Sequence, residues 1–316
     1  MREAVKRRVR AVVPPEVIQN VKVVQAALAT RAAREAFEHA EPGPAWLDPE
    51  TLPLLQGLSP DVPAYPYDPH ALWARGVERR RDISRFLSRD QPRTLELACH
   101  DGMTSGLLAE HGVSATAIDL ALDHIDARAR ASGVELLAAD AAHLPFADSR
   151  FDCVFSYNAF EHFDDPGAVL AEALRVVRPH GTLYFRFGPL YRSSYGLHAM
   201  HAITVPFCQY LWDRSVLDDY VTREGHRRIE YESLNEWTVQ QFRDLWARGA
   251  PWAERIAYRE IPDLHGMDLV RDHPSCFRDQ TDRFDDLLLA IIEVALKRTE
   301  RPLDPENRAT LSCRAS

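Results

Sequence analysis

"RTLELACHDGMTSGLL", residues 93–108, is the stretch on which the reading of this 316-residue chain turns. Its opening, "RTLELA", is a short apolar run carrying one acid, Glu96, and suits a buried strand. "GMTSGLLAEHG" then reads as a helix stopped by Gly112. Between them lies Ala98-Cys99-His100-Asp101-Gly102, a tight connection with a single glycine. Whether this connection is a ligand cradle or only a turn depends on the chain downstream of it.

Downstream of Gly112 the chain alternates steadily between strand and helix. "SATAIDL" (114–120) reads as a strand and "ALDHIDARARASG" (121–133) as a helix stopped by Gly133. Strand "VELLAAD" (134–140), loop "AAHLPFADSR" and strand "FDCVFSYN" (151–158) come next. A helix over "PGAVLAEALRVVRPHG" has Asp165 as N-cap and Pro166 at its first position, and strand "TLYFRFG" (182–188) succeeds it. Strands separated by helices of this length predict a doubly wound, mostly parallel α/β sheet with right-handed crossovers. Ligands of such sheets sit at the carboxyl ends of the strands.

The remaining chain divides around this block. Residues 1–45 form a basic, Ala-rich helical extension on both sides of Pro14-Pro15. Residues 46–90 hold a proline-crowded wrap, with Trp46, Tyr65 and Tyr67 as expected anchors, and a lead-in helix. The main domain spans 91–298 and is interrupted after its fifth strand by an aromatic- and histidine-rich cap insertion, 189–235. Helix "TVQQFRDLWARG" restores the alternation; "AERIAYREI" and "DDLLLAIIEVALKR" are candidate last elements, the second readable as strand or helix. The polar tail 299–316 is expected to be disordered.

Composition narrows the function classes. A net charge of -9 disfavours a phosphate backbone, so no nucleic acid is expected as partner. Five scattered cysteines with no CxxC pair fit a reducing, cytoplasmic setting and no zinc knuckle. No run of about 18 apolar residues predicts a membrane span, and the start does not read as a signal peptide. Residues 1–13 combine Arg2, Lys6, Arg7, Arg8 and Arg10 with valines at helical spacing. This reads as a solvated helix packed on the body, as a peripheral membrane-surface contact, or as an organellar presequence.

Four polar residues fall on successive strand ends: Glu96, Asp119, Asp140 and Asn158. A carboxylate ending the second strand suits the paired hydroxyls of a ribose. One after the third strand can accept from the exocyclic amine of adenine, and a helix-opening turn can meet the carboxylate of an amino-acid ligand. In this order and spacing, the block from Glu96 to Gly188 resembles the class I S-adenosylmethionine-dependent methyltransferases, type 11-like, a Rossmann-like family with a seven-stranded sheet. "LELACHDG", "AIDL", the run Asp140, Leu144, Pro145, Phe146, Phe151, Asp152, and Glu161-His162 after the fourth strand carry the resemblance. The family's acid-x-Gly-x-Gly-x-Gly frame is occupied by Glu96, Ala98, His100 and Gly102, so two of three glycines are replaced.

The resemblance implies S-adenosyl-L-methionine as cofactor. Glu96, Ala98, His100 and Gly102 would form the loop, Asp119 and Leu120 the ribose side, Asp140 and Ala141 the adenine side, and Asn158 the methionine side. Ala98 costs little if its φ is negative, and His100 is the larger departure. Phe146 is expected against the adenine, or else packed in the core alone; His143 and Cys99 read as structural. A nicotinamide dehydrogenase would want G-x-G-x-x-G, which is missing here. The Asn-Pro-Pro-aromatic signature of amino-directed DNA methyltransferases is missing too.

Methyl transfer to a hydroxyl benefits from a general base. His162 is the first candidate and Glu161 the second; each also has a packing role open to it. Asp164 and Asp165 read as capping residues, and His198 with His201 lacks a third ligand, so no metal is expected. Tyr191, Tyr195, His198 and His201 are the expected acceptor-facing residues, or else the cap's own core. The expected activity is methyl transfer to a small molecule or saccharide, most simply at oxygen. The alternative is a non-catalytic S-adenosylmethionine-binding or regulatory protein that retains the fold.

Overall fold

The computed structural model describes residues 15–43, 45–59, 67–87 and 90–312, with side chains from residue 27 onward. The basic residues 1–13, Tyr65 and Cys313 lie outside the described residues. Seven strands form one sheet in the order β3-β2-β1-β4-β5-β7-β6. They are β1 Arg93–Leu97, β2 Ser114–Asp119, β3 Glu135–Ala138, β4 Phe151–Tyr157, β5 Val177–Phe187, β6 Ala253–Pro262 and β7 Leu289–Arg298. The first five are parallel, and β7 runs antiparallel between β5 and β6. The doubly wound, mostly parallel α/β sheet is therefore as the alternation predicts.

Burial explains the strand sequences. All seven residues of β4 are buried, as are four of the five in β1, because helices cover both faces of the sheet. On one face, Phe160, Phe185, Phe187, Phe242 and Trp246 pack together with the helices Pro166–Val176 and Val239–Gly249. Each of these rings contributes roughly 1.5–3 kcal/mol over its exposed state. On the other face, Met103, Leu107 and Leu108 of the helix Met103–Glu110 meet Ile83 of the helix Pro69–Ser84. The two edge strands discourage further pairing: β3 is four residues long, and β6 carries exposed Glu254 and Arg255.

A second core lies outside the sheet. Phe37 of the helix Pro15–His39 and Leu52 of the helix Thr51–Leu58 pack with Phe207, Tyr210, Trp212 and Phe277. The N-terminal extension thus shares its core with the segment after β5. Leu52 anchors the proline-rich stretch, whereas Trp46 and Tyr67, expected as anchors, are 45% and 60% exposed.

Three elements depart from expectation. The helix expected over 121–133 shortens to Ala127–Ala131, because Asp126 caps it through the Arg128 N–H and donates its own N–H to the Asp101 carbonyl. The ambiguous run 285–298 splits into a short helix, Phe284–Leu288, and β7, since β5 offers it an open ladder. Residues 305–311, in the tail expected to be disordered, form a helix. Asp304 accepts the Asn307 N–H at 2.8 Å as its N-cap, and Leu311 is buried against the helix Pro166–Val176.

Candidate functional site

The loop after β1 solves a backbone problem in an unusual way. Ala98, His100 and Gly102 all lie in the left-handed region, at φ of 52°, 48° and 70°. These are the three positions that the glycine frame would fill, so the negative φ at which Ala98 would cost little is not met. The loop keeps the glycine conformation without two of its glycines, at a cost of about 1–2 kcal/mol per L-residue. Asp119 offsets part of this cost. Its Oδ2 accepts the His100 N–H at 2.8 Å, and its Oδ1 accepts the Leu120 N–H at 2.8 Å.

Glu96 supports the same loop from below. It is buried, and its Oε2 accepts both the backbone N–H and the hydroxyl of Ser105, at 3.1 and 2.6 Å. Burial pushes its carboxyl up to about 7, against the lowering effect of Ser105. Two N–H groups at the helix opening are therefore already used: Ser105 by Glu96, and Met103 by Asp101 Oδ1 at 2.8 Å. Any ligand carboxylate at this turn would thus meet the N–H groups that remain.

The third strand end lies beside the second. The Ala139 N–H donates to the Asp119 carbonyl at 2.9 Å, which sets Asp140 on the same edge. Asp140 accepts from the Ala142 N–H and from His143 Nδ1, both at 2.8 Å. Burial works the other way, but these donors hold its carboxyl below the usual range. Ala141 is buried and Leu120 is 78% exposed. The loop beyond Asp140 is pinned by Arg175, which donates to the carbonyls of Phe146 and Leu144 at 2.6 and 2.9 Å and pairs with Glu172. Phe146 packs edge-on to Phe151, in the core.

These residues test whether the implied cofactor fits. Each Asp119 oxygen accepts one backbone N–H and keeps a second lone-pair direction, and the side chain is only half-buried. The His100 ring is exposed on the wall of the adjoining cavity, stacked on His124 at 5.4 Å, with Tyr67 at 5.6 Å. A Cβ on Gly102 would crowd Ala129 and Ile125 at 3.3 Å. The donor and acceptor set therefore accommodates an adenosyl amino acid.

Next to this edge opens a cavity of about 710 Å³. The loop side contributes Tyr67, Leu72, His100, Asp101 and His124. The cap side contributes Leu197, His198, His201, Arg227, Glu230 and Ser233, and His162 stands between them. Asp101 falls within the loop motif without being singled out by it, and His124, Arg227 and Glu230 lie in loops or turns with no motif to mark them.

The Glu161-His162 turn is held by the cap. Asn235 donates its side-chain amide to the carbonyls of Phe160 and Phe163, at 2.6 and 3.0 Å, and its backbone N–H to the Glu161 carbonyl. His162 Nδ1 meets the Ser233 carbonyl at 2.6 Å. Glu161 is 2% exposed; its Oε1 accepts the Gly188 N–H at 2.9 Å, and burial pushes its carboxyl up. Gly188 sits at φ 131°, where a Cβ would lie 2.2 Å from the Ala290 carbonyl.

His198 and His201 share the cavity but not a helix face, since residues 189–207 form turns. His198 approaches His162, with ring centroids 5.1 Å apart, and burial pushes its imidazole down to about 4. His201 turns to the Arg227 carbonyl at 2.9 Å. Tyr191 and Tyr195, expected against the acceptor, turn away. Tyr191 packs on the cap core, and Tyr195 lies beside His265 at 5.9 Å. Asn158 ends β4 at φ 50°, tied by its N–H to the Arg186 carbonyl. Asp165 caps its helix through the Ala168 N–H at 3.0 Å.

Comparison with known proteins points the same way. A family model described as a methyltransferase domain matches residues 95–185. Over 189 residues, 58% of this chain and 74% of the relative, the chain is 34% identical to a demethylmenaquinone methyltransferase of Beutenbergia cavernae. It is 27% identical over 180 residues to a protein of the same name from Renibacterium salmoninarum, covering 54% of this chain and 69% of that one. A malonyl-[acyl-carrier protein] O-methyltransferase of Pseudescherichia vulneris is 33% identical over 125 residues, 39% of this chain and 49% of the relative.

Proposed function

The chain belongs to the class I S-adenosylmethionine-dependent methyltransferases, and on that premise we propose that it methylates a hydroxyl of a polyhydroxylated small molecule or saccharide. The observation that carries this reading is the cavity beside the strand ends, whose wall sets imidazoles, Asp101, Arg227 and Glu230 among Leu72, Leu197 and the ring of Tyr67. Such a wall offers both donors and acceptors to a hydroxyl-rich molecule. The relatives are named for demethylmenaquinone and for the malonyl group of acyl-carrier protein, so their names do not select one acceptor. The second is named an O-methyltransferase, in keeping with attack at oxygen.

Bound S-adenosylmethionine supplies a sulfonium methyl group open to in-line displacement. The chain's own part is alignment. Asp119 would take the ribose hydroxyls on its remaining lone pairs, and Leu120 would line that side. Asp140 and Ala141 would face the adenine, and Glu96 with the loop Ala98, His100 and Gly102 would set the amino-acid end beside Asn158. His162 is the proposed base. Its Nδ1 is placed on the Ser233 carbonyl, which leaves Nε2 to accept the hydroxyl proton. Glu161, buried behind it, braces the turn through Gly188. His198 and His201 would contact the acceptor. Residues 1–13 would touch the membrane surface if the acceptor is delivered there.

A second reading, a cofactor-binding regulator without turnover, draws on the two non-glycine residues in the loop. Incubation with methyl-labelled S-adenosylmethionine and a panel of sugars, sugar nucleotides, phenols and quinones separates these readings. A methylated hydroxyl product is expected. Cofactor binding with no transfer to any acceptor would favour the regulator, and transfer to carbon or nitrogen would overturn the oxygen assignment.

A further inference from the structure

We propose that Glu161, His162 and His198 form a binding site for a divalent transition-metal cation of the Zn2+ class on the cavity wall. One ligand-capable atom from each side chain lies within 4.8 Å of the other two, a grouping unique among the described residues. The hydrogen bonds around the cluster show which nitrogens are free to ligate. His162 Nδ1 is 2.6 Å from the Ser233 carbonyl, and His198 Nε2 is 3.0 Å from the Pro189 carbonyl. Carbonyls only accept, so both of these nitrogens carry hydrogen. The opposite nitrogens, His162 Nε2 and His198 Nδ1, are left with bare lone pairs.

The carboxylate adds a third acceptor. Glu161 Oε1 takes the Gly188 N–H, while Oε2 is buried with no hydrogen-bond partner. A buried carboxylate oxygen without a donor is expensive, and three converging acceptors with no donor among them are more so. A cation satisfies all three together. The pattern is also that of a prepared site, in which each ligating imidazole is oriented by a backbone carbonyl on its other nitrogen. Two imidazoles and one carboxylate suit Zn2+ or Fe2+, whereas Mg2+ and Ca2+ favour oxygen ligands.

Bonds of about 2.0–2.2 Å place tetrahedral ligands roughly 3.4 Å apart, so atoms that lie within 4.8 Å of one another need close by no more than about 1.4 Å. His162 is exposed and can turn to do so. The two histidines also line the cavity, leaving further coordination positions toward it. That such a position would hold an acceptor oxygen rests on the function proposed above; the cation site itself does not. With the cation bound, His162 Nε2 is a ligand, so its service as the base belongs to the cation-free chain.

The test uses the full chain without an affinity tag, stripped with chelator and titrated with Zn2+ by calorimetry, with no cofactor or acceptor present. One equivalent per chain is expected, with Co2+ giving visible absorption bands of a nitrogen-containing site and Mg2+ binding far more weakly. Glu161→Gln and His198→Ala should each weaken Zn2+ binding at least tenfold, while S-adenosylmethionine binding, measured on the same samples, reports that the fold persists. Absence of stoichiometric binding, equal affinity in both variants, or Mg2+ binding as tightly as Zn2+ would overturn the proposal; the first of these would mean that a proton on Glu161, and not a metal, satisfies the cluster. None of these readings depends on methyl transfer, so the acceptor assignment can fail separately.

Discussion

Glu96→Gln should move stability and cofactor affinity in opposite directions. The side chain is buried, bonded to Ser105, and its carboxyl is pushed up to about 7 by burial, from an ordinary 4.5. A carboxyl that is more basic in the folded state binds its proton more tightly there. Its linked stability is full below about pH 4.5 and is lost as pH rises through about 7. At about 1.4 kcal/mol per unit, the wild type should lose on the order of 3 kcal/mol across that window through this group alone. Glutamine keeps an acceptor for Ser105 but cannot ionise, so the variant should match the wild type near pH 5 and exceed it at pH 8. Thermal unfolding of both proteins from pH 5 to 8.5 reads this as a gap in Tm that opens with pH, to roughly 5 °C or more. At pH 8 the same variant should bind S-adenosylmethionine about tenfold less tightly, because a charge-assisted acceptor next to the loop is gone. Parallel Tm curves with a constant offset would refute the burial argument.

Asp119→Asn should weaken S-adenosylmethionine binding by about 1–3 kcal/mol, since an amide cannot accept from His100, Leu120 and the ribose together; calorimetry showing unchanged affinity would remove the ribose assignment. Ala98→Gly should stabilise the protein by up to about 1 kcal/mol in urea unfolding: relief of the left-handed strain at φ 52° exceeds the added entropy of the unfolded glycine. A loss of stability there would show that the turn is not strained. Arg175→Met should cost about 3–5 kcal/mol, because Glu172 and the carbonyls of Leu144 and Phe146 lose their shared partner. A drop under 1 kcal/mol would mean that the loop after β3 is held by other contacts.

The strand-end acids are legible in the sequence because the sheet forces them together: a period of strand, turn and helix carries Asp119 and Asp140 to one edge whatever the side chains between them. The left-handed backbone at Ala98 and His100 is not legible, since residue type favours but does not fix the sign of φ, and the Asp119 hydrogen bond that holds His100 comes from 19 residues away. The pairing of His198 with His162 in place of His201 is hidden for a related reason. Spacing three apart suggests a shared face only within a helix, and residues 198–201 are turns. The helix at 305–311 does carry a local signal, Asp304-Pro305, the same capping pair that opens the helix at Asp165-Pro166; the polar composition around it obscures the likeness.

Titration of the wild-type chain with S-adenosylmethionine, repeated in the presence of its demethylated product, probes the adenosyl crevice most directly. One saturable site per chain that the product competes away is the predicted result. Absence of binding heat, or heat indifferent to the product, would mean that these strand ends gather carboxylates for some other purpose.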